Sequence, residues 1–117
     1  EVVLTLRAAH PDVRLVAVVP FRGQEERFSP ADRVRFRRAV AAADEVEVLA
    51  GGYRRGCYAV RNDFLVDRAA LVVAWYDGSP GGTRYTLRRA LARGREVWNL
   101  HPSGGGLAIR PVQPALF

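Results

Sequence analysis

The feature that most constrains this chain is the alternation of short, β-branched apolar runs with longer helical stretches. Residues 14–19 (RLVAVV), 45–49 (EVEVL), 71–76 (LVVAWY) and 96–100 (EVWNL) read as strands. Residues 1–9 carry apolar side chains at Val2, Val3, Leu6 and Ala9, a helical spacing, and Pro11 ends that helix by displacing His10 from the α region. Ser29-Pro30-Ala31-Asp32 opens a second helix, with Ser at the N-cap, Pro at the first helical position and an acid in the first turn. It runs to about Ala43. Residues 58–69 form a third helix, and residues 83–93 a fourth, with Gly94 placed to end it. Helix, strand, helix, strand, repeated to the end, predicts an α/β fold with a mostly parallel sheet and helices on its faces.

The same patterning predicts a core. RLVAVV suits a strand buried on both faces, LVVAWY a central strand, and EVEVL a strand with one exposed face or at an edge. Val34 and Ala41, with Ala31 and Val40, are expected to face inward on the second helix, leaving Arg33, Arg35, Arg37 and Arg38 solvated. Val60, Phe64 and Leu65 are the expected contacts of the third helix, and Leu87, Ala90 and Leu91 those of the fourth. Residues 21–29 read as polar and irregular. The domain spans residues 1–100. Residues 101–117, with Gly-Gly-Gly and three prolines, read as a C-terminal tail.

A length of 117 residues fits one domain, and 49% apolar content suffices for a core. No apolar stretch approaches the roughly 18 residues of a membrane span, and the first residues lack the features of a signal peptide. A single cysteine, Cys57, excludes an internal disulfide framework. These features predict a cytoplasmic protein. All 18 basic residues are Arg, for a formal charge of +6. Guanidinium pairs bidentately with oxyanions; a GC-rich genome also enriches Arg. Met is absent even at position 1, and the chain opens mid-helix without a cap, so an N-terminal part of the domain is expected to be missing.

Three segments carry candidate chemistry. In LVVAWYDGSPGGTRYTLRRAL an apolar strand enters a glycine-rich turn and a helix starts at once. Unpaired backbone N–H groups and the positive end of the helix dipole then point at the turn, where Gly78, Gly81 and Gly82 admit a phosphate close to the backbone and Thr83 caps the helix or donates its hydroxyl. The alternative is a tight turn with no ligand. The turn is neither a Walker A loop, for want of Lys, nor the dinucleotide fingerprint, whose glycine spacing differs. In GGYRRGCYAVRNDFLVD, Arg61 is placed to clamp an anion and Asn62 to read a base or a ribose hydroxyl; the alternatives are a surface Arg and a local cap. In VVPFRGQEE, the strand ends in Pro20 and Phe21, so that Phe21 meets a flat ring and Gln24 its polar rim, or Phe21 is a hydrophobic plug. His10 and His101 have no partners at metal-ligand spacings and read as structural, so no metal site is expected. Cys57 sits in an Arg-rich loop but has no visible partner base.

At these segments the sequence resembles the SLOG superfamily, the Rossmann-like group that contains cytokinin-activating LOG proteins and DprA DNA-processing proteins, and within it the YpsA-like branch. The matching pieces are VAVVPFRGQEERF, ADEVEVLAGGY, YAVRNDFLVDRAALVVAWYDGSPGGT and TLRRALARGREVWNL. The resemblance implies a Rossmann-like three-layer α/β/α fold that binds a nucleotide-like ligand at the carboxyl edge of its sheet. Gly81, Gly82 and Thr83 match the family's phosphate turn, Arg61 its preceding Arg, and Pro20, Phe21 and Gln24 the branch's loop. Two departures stand out. LOG enzymes carry Gly-Gly-x-Gly-Thr-x-x-Glu, and Thr86 stands here in place of the catalytic acid. The family's opening strands, with their own glycine turn, are not present before Glu1.

The leading expectation is therefore binding of a nucleotide or nucleotide-derived ligand, as a sensor or carrier, with no certain cofactor. One alternative is a LOG-like phosphoribohydrolase with Asp63 or Asp77 as its acid. Another is DprA-like nucleic-acid binding through Arg stripes at residues 33–38 and 84–95, weak because few aromatics interleave with them. Homo-oligomerisation is a further expected partnership; a membrane is not.

Overall fold

The computed structural model describes residues 1–104, so most of the expected tail lies outside the described residues. The element order is α1 (Val2–Ala9), β1 (Val16–Val19), a 3₁₀ turn (Gln24–Arg27), α2 (Pro30–Ala42), β2 (Glu45–Val48), α3 (Cys57–Arg68), β3 (Leu71–Ala74), α4 (Gly82–Ala92) and β4 (Glu96–Asn99). The fold is α/β of the Rossmann-like kind, and both strand pairs are parallel, β1 with β2 and β3 with β4. Among the described residues no helix is long and apolar enough to cross a membrane.

The described residues divide into two compact units, with the boundary between Arg61 and Asn62, inside α3. Each holds one strand–helix–strand crossover. In the first, β1 leads through the 3₁₀ turn and α2 to β2, in the register Val16 to Glu45 through Val19 to Val48. α1 is tied to the end of this crossover by Arg7, whose guanidinium donates to Asp44 at 2.9 Å and to the Ala42 carbonyl at 2.8 Å. The Leu15 amide also donates to Asp44, at 2.7 Å. That bond, with Arg7 beside it, outweighs partial burial and holds the Asp44 carboxyl below its ordinary range. In the second unit, β3 leads through α4 to β4, in the register Leu71 to Glu96 through Ala74 to Asn99.

The second unit carries a buried cluster of Val66, Tyr76, Leu87, Ala90 and Val97, with Val72, Ala74 and Leu91 packed against it. Burying such side chains removes apolar area from water at roughly 25 cal/mol per Å². Leu87, Ala90 and Leu91 face inward as their spacing predicts. α4 ends in a Schellman motif: Gly94, at φ +69°, donates to Leu91, and Arg95 donates to Ala90. The α3–α4 pairing is fixed by ion pairs from Arg89 to Asp63 (3.0 Å) and Asp67 (3.3 Å), and from Arg93 to Asp67 (3.1 Å).

The structure corrects the expected faces of two helices. Val34 is 66% exposed and Ala41 is exposed, whereas Arg33 and Phe36 are half-buried. Arg33, expected in solvent, donates to the carbonyls of Glu25, Glu26 and Phe28. Phe36 meets Phe28 edge-on at 5.7 Å. Likewise Val60 and Leu65 are exposed, while Val66 is buried and half-buried Ala59, Asn62 and Asp63 share its stripe. In both helices the inward stripe includes polar side chains that bond to the neighbouring elements, so apolar spacing alone gives the wrong phase. The strands differ as well: β2 is exposed throughout and β1 and β3 are only partly buried, each having a single strand partner.

Candidate functional site

The turn between β3 and α4 follows from its residues. Asp77 accepts from the Ser79 amide (2.9 Å) and hydroxyl (2.6 Å), both at Oδ1, which folds the chain back on itself. Gly78 follows at φ +99° and Gly81 at φ +144°, conformations that side-chain-bearing residues rarely adopt. The Tyr76 hydroxyl donates to the Ser79 carbonyl at 2.8 Å and holds the loop against the buried ring. Gly81 is the N-cap of α4, and no side chain caps it. The first amide to bond within the helix is that of Tyr85, to Gly81 at 3.1 Å. The amides of Gly82, Thr83 and Arg84 therefore have no protein acceptor among the described residues. Beyond the adjoining residues and the helix's own backbone, no atom of the described residues lies within 4 Å of where a Cβ on Gly81 or Gly82 would sit. The first turn holds no acid, and the Nε of Arg84, in that turn, has no hydrogen-bond partner among the described residues.

Gly81, Gly82 and Thr83, but not Arg84, border a pocket of about 310 Å³ whose wall also includes Trp75, Asp77 and His101. Parallel pairing creates it. Because Ala74 sits opposite Asn99, the residues just past β3 and those just past β4 emerge at the same edge. Asn99, 1% exposed, locks that edge. Its Oδ1 accepts from the Tyr76 amide (2.9 Å) and the His101 amide (3.2 Å), and its Nδ2 donates to the Tyr76 carbonyl (3.0 Å). The Ser103 amide donates to His101 Nδ1 at 3.1 Å. The His101 ring meets the Trp75 indole edge-on, with centroids 4.9 Å apart.

The expected site residues fall into separate surroundings. Gly81, Gly82 and Thr83 share the pocket wall, and Gly78 belongs to the same turn. In the first unit Pro20 and Phe21 are buried. The Phe21 ring lies edge-on against Tyr53 (5.5 Å) and Tyr58 (6.0 Å), the surroundings of a hydrophobic plug. Gln24 opens the 3₁₀ turn. Arg61 lies over the same Tyr58 ring at 5.9 Å, and Asn62 follows it within α3. Cys57 is buried at the start of α3.

Neither acid considered for hydrolysis is set up as a proton donor. Asp63 accepts from the Tyr85 hydroxyl (2.9 Å) and pairs with Arg89. The Ser79 hydroxyl, and then the Ser79 amide, hold the Asp77 carboxyl below its ordinary value, the opposite of what a general acid needs near neutrality. Several Arg residues of the expected basic stripes also serve the protein itself: Arg33, Arg89 and Arg93 as above, and Arg95 by donating to the Val66 and Asp67 carbonyls at the end of α3.

Trp75 and His101 were not singled out as site residues by sequence reasoning. The signal that would have found them is the parallel register, which brings the residues following two neighbouring strands to one edge.

A family model described as the "YspA SLOG family" matches residues 1–99. Among curated proteins, the chain is 29% identical over 111 residues to the uncharacterised SPbeta prophage-derived protein YoqJ of Bacillus subtilis, covering 83% of this chain and 65% of that one. It is 31% identical over 96 residues to a UPF0398 protein of Halalkalibacterium halodurans, covering 80% and 51%. A Bacillus cereus UPF0398 protein is 27% identical over 104 residues, covering 86% and 56%. The chain thus spans between about half and two thirds of the length of these relatives.

Proposed function

Since the chain belongs to the YspA SLOG family, we propose that it binds a phosphate-bearing, nucleotide-derived ligand at the turn between β3 and α4. The observation that carries this reading is the uncapped start of α4. Three successive amides without acceptors among the described residues, a first turn with Arg84 and no acid, and a glycine pair with open space above it together favour an oxyanion. A water-soluble anion with three acceptor oxygens satisfies donors that the described residues leave unmatched. The pocket also holds the Asp77 carboxylate, which opposes a phosphate placed beside it and favours one seated over the amides.

Binding without turnover is the proposed activity, as a sensor or carrier in the cytoplasm. The carboxylates near the turn are engaged with Ser79, Tyr85 and Arg89, which argues against their use as a general acid.

The test is a thermal-shift and calorimetric series with AMP, ADP-ribose, NAD and ribose 5-phosphate. A ligand at one hundred times its Kd should stabilise the folded chain by about 2.7 kcal/mol. Gly81→Val should remove the effect. No stabilisation by any of the four compounds would sink the proposal.

A further inference from the structure

The same pocket carries an aromatic surface that the phosphate turn does not use. Trp75 is the residue immediately after β3, and its side chain is 68% exposed. Its neighbour Tyr76 is 3% exposed and belongs to the buried cluster. An indole is a large apolar surface that normally gains by burial, and here it borders a cavity instead. His101 meets it edge-on. Such a contact occupies at most one face of the indole, so a face remains for a second ring.

Asp77 adds a second recognition element. Oδ1 already takes both bonds from Ser79, which leaves Oδ2 as an acceptor. The group is ionised near neutrality, since the Ser79 hydroxyl and amide hold its carboxyl low. An acceptor of this kind repels phosphate and suits hydroxyl donors. The pocket volume of about 310 Å³ lies at the small end of the roughly 300–1,000 Å³ typical of ligand sites. That is room for one nucleotide unit.

We infer that this pocket takes a mononucleotide, with its base stacked on the Trp75 indole, its ribose hydroxyls donating to Asp77 and its phosphate on the Gly82 and Thr83 amides. The last of these contacts rests on the reading proposed above; the stacking contact is new and separable from it.

Calorimetric titration of the full chain with AMP and with ribose 5-phosphate tests the two apart. The wild-type chain should bind AMP about 5- to 100-fold more tightly, the range of one base stacked on an aromatic ring. Trp75→Ala should bring AMP down to the affinity of ribose 5-phosphate and leave the latter unchanged, and Trp75→Phe should keep most of the preference. Equal affinities in the wild-type chain, or a preference that survives Trp75→Ala, overturn the stacking inference while the phosphate turn stands. If neither compound binds, both readings fall. The wild-type comparison needs no variant, so a poorly folded Trp75→Ala does not shield the inference.

Discussion

The two strand–helix–strand crossovers share one topology and differ at the place where strand gives way to helix. After β1 the connection is filled. Phe21 is buried against two tyrosines, Arg33 gathers three carbonyls, and the Ser29 hydroxyl accepts from the Asp32 amide at 3.2 Å to cap α2. Pro30 and Asp32 complete that helix start. After β3 the connection is open, with glycines at positive φ, no capping side chain and no acid in the first turn. The first helix start is capped by Ser29, whereas the amides at the start of α4 have no acceptor among the described residues. A helix start can be closed by its own sequence or kept for something else, and this chain contains one of each.

Four substitutions or conditions break or sharpen that contrast. The largest effect should come from Gly81→Val, which places a β-branched side chain at φ +144°. It should lower stability by about 1–3 kcal/mol in urea denaturation and abolish phosphate binding. Ser29→Ala removes the cap of the closed helix and should cost about 1 kcal/mol, with ligand affinity unchanged within error. Thr83→Asp gives the open helix the first-turn acid that the closed one already has. It should stabilise the chain by about 0.3–1 kcal/mol while weakening phosphate binding at least tenfold in calorimetry; loss of both stability and binding would mean that the turn had simply collapsed. The smallest effect concerns acid. Asp44 in the first unit and Asp77 in the second both have carboxyls held below their ordinary value of 3.8. Their stabilisation is present above the unfolded value and is lost as pH falls through the lower folded one. Asp44→Asn and Asp77→Asn should each flatten the decline in melting temperature below about pH 4, and a decline as steep as in the wild-type chain would remove that residue from the account.

Element order was legible because the cues are local. Ser29-Pro30, His10-Pro11 and Gly94 each end or begin a helix by backbone chemistry that needs no tertiary contact. Every expected helix and strand of the described residues is present, shifted by a residue or two at its ends. The 3₁₀ turn at Gln24–Arg27 was not legible, since its carbonyls are held by the side chain of Arg33 in the following helix. Inward faces were legible for α4, where Leu87, Ala90 and Leu91 mark the stripe, and misread for α2 and α3, where Arg33 and Asp63 lie inward with their partners. At the candidate site the glycine turn could be read directly. Trp75 and His101 could not, because their proximity depends on which strands are neighbours and in what register.

Asn99 gives the site a mechanical property. Its carboxamide stands in for a peptide group and adds a rung to the ladder after β3 and β4 have formally ended. The Tyr76 amide and carbonyl and the His101 amide are pinned to one planar side chain. The two chain segments leaving the sheet are thus yoked, and Trp75, one residue before the Tyr76 anchor, and His101, itself an anchor, are carried on a single stiff edge instead of on two independent loops.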